Sequence, residues 1–365
     1  MSASNSVLAE MRRFAGWGQI ALPLVVAALV LDLLGGHPLL TFAVASLALV
    51  PLAGLLGHAT EELAAHVGSA AGGLLNATLG NLTELIIGVL ALSRGEVEVV
   101  KASITGSIIG NLLLVFGLAV FLGGLGREKL SFNAVAIGAN ASMLFLAVVA
   151  LAMPALFQLS VFGSLEASGR RIEHLSLWTS GVLLASYAAS LVFILRTHRK
   201  LFRGDAPERP VLGRGAAAGL LVAAAVLVAV ASELLVGQIE AVTASLGWTR
   251  LFVGIVVVAT VGNAAEHSTA ILAARAGRMD LALHTAVGSS TQIALSVAPL
   301  LVVLSPLLGA PMSLVFHPLE IAAVILSVGA VVVVAMDGET NWLEGLMLLG
   351  VYAILGVFFY VLPGS

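Results

Sequence analysis

Eleven stretches of mostly apolar residues, each long enough to cross about 30 Å of hydrocarbon, leave this chain few folds to choose from. They run at roughly 17–34, 38–57, 72–93, 101–124, 133–153, 174–195, 215–235, 250–274, 284–307, 314–336 and 342–361. In lipid a backbone must satisfy its own hydrogen bonds, so stretches of this length predict helices. Composition agrees: only 10% of the residues are charged, against about 25% in soluble chains. The expected fold is an all-α polytopic membrane protein in a lipid bilayer. The first stretch carries Asp32 near its end and lacks the small-residue cleavage pattern of a secretory signal, so it reads as a true span. Polar residues interrupt the pattern at 57–72, and 154–173 reads as a short interfacial element.

The charges exclude several classes of function. Seventeen Lys and Arg against twenty Asp and Glu give a net charge of −3, with neither a basic surface for nucleic acid nor an acidic tail. Zero cysteines remove disulfides, thiolate nucleophiles and Cys-ligated metal centres, leaving carboxylates, histidines, hydroxyls and backbone to do any chemistry. With the N-terminus in the cytoplasm, twelve basic residues fall on that side: Arg12, Arg13, Arg127, Lys129, Arg196, Arg199, Lys200, Arg203, Arg209, Arg214, Arg275 and Arg278. The five on the other side are Arg94, Lys101, Arg170, Arg171 and Arg250, a bias that predicts a cytoplasmic N-terminus and an outside C-terminus. The segment 196–214 is the one substantial hydrophilic linker and divides the chain.

On either side of the linker one phrase recurs, GNLTELIIGVLALSRG at 80–95 and GNAAEHSTAILAARAG at 262–277. The offset of 182 residues pairs Asn81 with Asn263 and Glu84 with Glu266, and it still holds at Gly106–Ser107 and Gly288–Ser289. A further echo precedes both copies, ATEEL at 59–63 and ASELL at 231–235, matching Glu61 with Glu233. The chain therefore divides into an N-terminal segment with the first helix at 1–37, a five-helix repeat at 38–195, the linker at 196–214, and a second five-helix repeat at 215–365. An odd number of spans per repeat makes the second copy enter the membrane from the opposite side, the inverted arrangement of many secondary transporters, with the substrate site near the midplane between the repeats.

A carboxylate deep in a span costs at least about 2.5–3.5 kcal/mol to insert and usually faces a partner or an ion path. Glu84 and Glu266 both lie deep in their spans and each follows a Gly-Asn pair; glycine suits a broken helix better than a continuous one. A break there frees carbonyls, and two carboxylates with carbonyls, Asn81, Asn263 and Thr83 make a hard-oxygen set suited to calcium. Without a cation, protons take its place on the carboxylates, and that competition is an exchange mechanism. Ejecting a divalent cation against 100 mV costs about 4.6 kcal/mol, which two returning protons cancel; at least two protons per calcium are expected. Glu61 and Glu233 are candidate access-path acids, Ser107, Ser289, Asn111 and Gln292 candidate gates or outer ligands at matching depths, and His267 a candidate proton relay. Asn81 and Asn263 also suit interhelical hydrogen bonding, and His267 suits packing as well as it does a relay. Asp337, Glu339 and Glu344 read as solvated loop residues.

At these motifs the chain closely resembles the calcium/proton exchanger family of the calcium/cation antiporter superfamily, whose hallmark Gly-Asn-x-x-Glu sequences look like GNLTE at 80–84 and GNAAEH at 262–267. The resemblance runs from the second span to the eleventh. It implies one leading helix plus two inverted five-helix repeats, and export of Ca²⁺ from the cytosol in exchange for H⁺. It also implies Glu84 and Glu266 as alternating cation and proton sites, Asn81 and Asn263 as their neighbours, and Glu61 and Glu233 as accessory acids. Calcium is then substrate and the proton coupling ion, with no cofactor and no enzymatic step; homo-oligomerisation stays open. The short basic linker departs from the acidic stretch of many members, Leu82 stands where a small residue is usual, and the short tails suit a bacterial or archaeal cytoplasmic membrane. The rivals are a sodium-coupled calcium exchanger and a sodium or potassium/proton antiporter. An intramembrane metallohydrolase would need an H-E-x-x-H cluster, which the Glu266–His267 adjacency does not provide.

Overall fold

The computed structural model describes residues 3–67, 69–163, 170–198 and 210–362. Ten of its helices are long and apolar enough to cross a membrane, and the number is up to eleven if the bent pair Ile239–Leu246 with Arg250–Gly262, at 118°, counts as one more. In chain order they are α1 (Ala3–Leu33), α2 (Pro38–His66), α3 in two halves (Ser69–Leu79 and Leu82–Ser93), α4 (Val97–Gly124), α5 (Ala134–Phe162) and α6 (Arg170–Thr197). After the linker come α7 (Arg214–Gly237), α8 in two halves (Arg250–Gly262 and Ala264–Arg275), α9 (Met279–Leu308), α10 (Pro318–Ala335) and α11 (Trp342–Val361). The short helix Ile239–Leu246 leads into α8.

Two helices run further than hydropathy predicts. α2 continues through the polar segment to His66, because buried Glu62 accepts from the amides of Val211 (3.0 Å) and Leu212 (2.8 Å), while His66 Nε2 donates to the Leu212 carbonyl at 2.7 Å. These contacts tie the end of α2 to the chain entering α7; linker residues 199–209 lie outside the described residues. α5 continues through Pro154 to Phe162, so the expected interfacial element at 154–173 is in its first part a continuation of that helix.

α4 is the most buried span and the hub of the bundle. Its first half lies against the first half of α8, and its second half against α11 and the second half of α8. Glycines bring these backbones close, as in other membrane helix pairs: Gly106 and Gly254 face across α4 and α8, and Gly117 and Gly345 across α4 and α11. α2 packs lengthwise against α7, with α1 against α2.

Loop contacts sort into two ends. At one, β1 (Leu130–Ser131) pairs antiparallel with β2 (Glu339–Thr340), Lys129 pairs with Glu339, and Arg127 donates to the carbonyls of Ala274 and Arg275 at the end of α8. At the other, Arg94 pairs with Glu233, Arg250 with Glu96, and Gln238 donates to Asp32. Every one of these contacts joins segments that alternation of eleven spans puts on the same side. Two of the acids expected to be simply solvated do structural work: Glu339 takes Lys129, and Glu344 completes a capping box with Asn341 at the start of α11.

Candidate ion site

The helices break where glycine precedes asparagine. Asn81 (φ −105°, ψ 30°) and Asn263 (φ −91°, ψ 16°) leave helical geometry, and new half-helices begin at Leu82 and Ala264. Each asparagine takes the N-cap position, and Glu84 and Glu266 fall in the first turn, where the positive end of the helix dipole favours a carboxylate. An N-cap asparagine normally bonds the amides of its own first turn, yet neither does so here. Their side chains reach across the bundle instead.

The result is one continuous chain of hydrogen bonds. Asn81 Nδ2 donates to Gln292 Oε1 (2.6 Å) and Ser289 Oγ donates to Asn81 Oδ1 (3.1 Å). Asn111 Nδ2 donates to Ser289 Oγ (3.1 Å) and to Asn263 Oδ1 (2.9 Å), and Asn263 Nδ2 donates to Ser107 Oγ (2.7 Å). The offset of 182 carries Asn81 to Asn263 and Ser107 to Ser289, so the two Asn–Ser bonds join equivalent residues drawn from opposite halves, with the asparagine donating in one and accepting in the other. Asn111 and Gln292 break the equivalence, since their counterparts under the offset are Ile293 and Gly110. A π-helical segment, Gly110–Val115, places Asn111 on α4, and a second, Ile293–Val297, lies at the matching position on α9. Such wide turns are frequent at functional sites.

Beside this chain are polar atoms with no partner. Both carboxylate oxygens of Glu84, one of Glu266 and Oδ1 of Asn111 are buried without a hydrogen bond. The carboxylates of Glu84 and Glu266 are near enough to repel each other, and the Glu84 side chain passes beside Gly262, where an added Cβ would lie 3.6 Å from its Cγ. Thr83 is buried next to Glu84. Buried acceptors without donors are costly, and four oxygens of this kind together suit protons or a hard cation. Among the described residues no three His, Asp or Glu converge as a metal cluster.

Other predicted residues lie apart from this chain. Glu61 is mostly exposed, with His58 Nδ1 at 3.5 Å, and Glu233 is held by Arg94. His267 Nε2 is buried without a partner, and no bond to Glu266 is formed among the described residues. The carbonyls freed by the two breaks are partly used: Ala77 O accepts from the Tyr187 hydroxyl (2.8 Å) and Ala259 O from Asn263 Nδ2 (2.7 Å). Sequence reasoning missed Arg94 and Tyr187; for Tyr187 the available signal was a phenol inside a span, where a buried hydroxyl needs a partner.

A discontinuous-helix membrane bundle with paired intramembrane carboxylates defines the class. The sodium/calcium exchanger protein family profile matches residues 37–196 and 216–361, and the chain belongs to that family. It is 45% identical over 349 residues to the Ca²⁺/H⁺ antiporter of Synechocystis sp., covering 90% of this chain and 93% of that one. To the Ca²⁺/H⁺ antiporter of Aphanothece halophytica it is 43% identical over 339 residues, covering 88% and 90%. The solved structure of native YfkE superposes with a TM-score of 0.83 at 36% identity, covering 95% of this chain and all, 100%, of that one.

Proposed function

We propose that this chain is a Ca²⁺/H⁺ antiporter in which Ca²⁺ and protons compete for Glu84 and Glu266. The observation that carries the reading is the set of buried acceptors without donors, centred on two mutually repelling carboxylates. A divalent cation or protons relieve both costs, and the site cannot hold a full complement of both at once. The names of these two relatives, both called Ca²⁺/H⁺ antiporters, support calcium and protons as the pair exchanged.

The two halves, 38–195 and 215–365, act as inverted repeats around this site, a reading supported by the exchanged Asn–Ser bonds. Alternating access then exposes the glutamates first to one side and then to the other. In the state described, the second half of α3 packs along α7 and Arg94 pairs with Glu233 at its end, which closes that side. Glu61 is solvent-exposed toward the opposite side. The charge bias makes the Glu61 side cytoplasmic, with the N-terminus inside, the C-terminus outside and the protein multi-pass in the cytoplasmic membrane. Export against an inside-negative potential runs with at least two protons returning per Ca²⁺.

The test is ⁴⁵Ca²⁺ uptake into proteoliposomes loaded at acidic pH and diluted into alkaline buffer without Na⁺. Uptake is expected with the pH gradient alone, and it disappears when protonophore with valinomycin and K⁺ clamps the gradient. Wild type that takes up Ca²⁺ only when Na⁺ is trapped inside would assign sodium as the coupling ion. Silence under both gradients in verified vesicles would remove Ca²⁺ as the substrate.

A further inference from the structure

The two helix breaks are equivalent in sequence but not in hydrogen bonding. In α8, the Ala259 carbonyl is satisfied within its own helix, accepting from Asn263 N at 3.1 Å and Asn263 Nδ2 at 2.7 Å. In α3 the equivalent carbonyl is Ala77, and no bond from Asn81 to it occurs among the described residues. Its donor is instead the hydroxyl of Tyr187, on α6, at 2.8 Å. The Asn81 amide, not needed at its own helix end, extends to Gln292 at 2.6 Å. In the other half no tyrosine among the described residues bonds the Ala259 carbonyl, which is left to Asn263.

We infer that Tyr187 is a positioning residue for the ion site: by satisfying the Ala77 carbonyl it releases the Asn81 amide to bond Gln292, which makes the two half-sites chemically different. The physical reason is that an orphaned carbonyl in a membrane interior must find a donor. With Tyr187 present, Asn81 Nδ2, the counterpart of the Asn263 amide that takes the equivalent carbonyl, is free for the other half of the protein. Without it, Asn81 takes the conformation Asn263 already has, with one amide hydrogen on its own helix's carbonyl and the other on the equivalent serine, Ser289, which leaves none for Gln292. Three residues before Glu84, Asn81 then no longer links α3 to α9 through Gln292. Tyr187 touches neither glutamate, so its effect is on how well the site is assembled rather than on the exchange itself. The inference rests on the reading of Asn81 and Glu84 as part of the ion site.

Tyr187→Phe, Gln292→Ala and the double variant test it in the same vesicles. Each single variant is expected to raise KM for Ca²⁺ about fivefold with kcat near wild type, and the double variant is expected to be no worse than Gln292→Ala alone, because both changes remove the same link. Unchanged KM in Tyr187→Phe, or effects that multiply in the double variant, would overturn the inference. A crystal structure of Tyr187→Phe reads the same point without reference to any ion: Asn81 Nδ2 is expected on the Ala77 carbonyl and off Gln292, and an Asn81 amide still on Gln292 sinks the idea. If wild type transports no Ca²⁺ while this rotation is seen, the positioning role stands and the substrate assignment falls. Should Tyr187→Phe not fold, the three tyrosines of the chain allow 3-fluorotyrosine labelling and ¹⁹F NMR, with the Tyr187 line assigned through Tyr352→Phe and Tyr360→Phe. The Tyr187 line is expected to shift in Gln292→Ala, and an unmoved line counts against the coupling.

Discussion

Glu84→Gln and Glu266→Gln each lower Ca²⁺ uptake by about 100-fold or more while leaving the protein folded. Both substitutions keep size and shape and remove one negative charge from the proposed cation site. Leaving a buried charge without its partner costs about 3–5 kcal/mol, about two to nearly four decades in affinity. Stability moves the other way. In the Ca²⁺-free protein the two carboxylates repel each other and Glu84 has no hydrogen-bond donor, so Gln at either position leaves the melting temperature in Ca²⁺-free buffer unchanged or higher. Wild type melts at a higher temperature as Ca²⁺ is added, because a ligand that binds only the folded state stabilises it, and both variants lose that response. The pH dependence follows from the same competition. As pH falls on the side where Ca²⁺ binds, protons occupy the acceptors and the apparent KM for Ca²⁺ rises, by about tenfold per unit for each competing proton once protonation dominates. Uptake assays over a pH series and thermal unfolding with and without Ca²⁺ check both halves of the argument. A Gln variant that still transports at wild-type rate, or a KM indifferent to pH, would remove Glu84 and Glu266 from the exchange.

What could be read from the residues and what could not divides along one physical line. Span length, the Gly-Asn breaks and the buried glutamates are local signals, set by hydrocarbon thickness, backbone freedom and the cost of an intramembrane charge, and the structure has helices broken at Gly80–Asn81 and Gly262–Asn263. The repeat offset also put Asn81, Asn263, Ser107 and Ser289 at equivalent depths, and the structure joins all four in one hydrogen-bond chain. The partners were not legible. Arg94 meets Glu233 and Tyr187 meets Ala77 across 139 and 110 residues of chain, and no periodicity encodes such pairings. Helix ends failed for a related reason: Glu62 looks like the polar end of a span until Val211 and Leu212 arrive to bond it. The N-cap placement of each Asn and the first-turn placement of each Glu were present in the Asn-x-x-Glu spacing, which is that of a capping box, but the spacing reads that way only once the break is assumed.

Gly106→Ala destabilises the bundle by about 2–4 kcal/mol, above the usual cost of an added methyl in a packed interior, and removes transport with it. A Cβ at Gly106 would lie 2.3 Å from the Ile255 carbonyl oxygen and 2.5 Å from its Cα. Those are backbone atoms of α8, so no side-chain rotation relieves the clash and the two helices have to part by about 1 Å to reach ordinary contact. The opposing surface offers no relief, since a Cβ at Gly254 would in turn meet Ala102 Cβ at 2.4 Å and Val99 O at 2.8 Å. Moving α4 from α8 also stretches the bond between Ser107, next in sequence to Gly106, and Asn263 Nδ2, now 2.7 Å. At 3.6 Å or beyond that bond no longer exists, which removes Ser107 from the hydrogen-bond chain and one of the links between the two halves. Gly350→Ala on α11 is the control: nothing lies within 4 Å of its added Cβ, and Ala is the better helix former by about 1 kcal/mol. Thermal unfolding in detergent should therefore give a lower midpoint for Gly106→Ala and an equal or higher one for Gly350→Ala, with uptake retained only in the latter. Equal midpoints for the two would mean that α4 and α8 do not meet through their glycines, and the hydrogen-bond chain built on that contact would lose its scaffold.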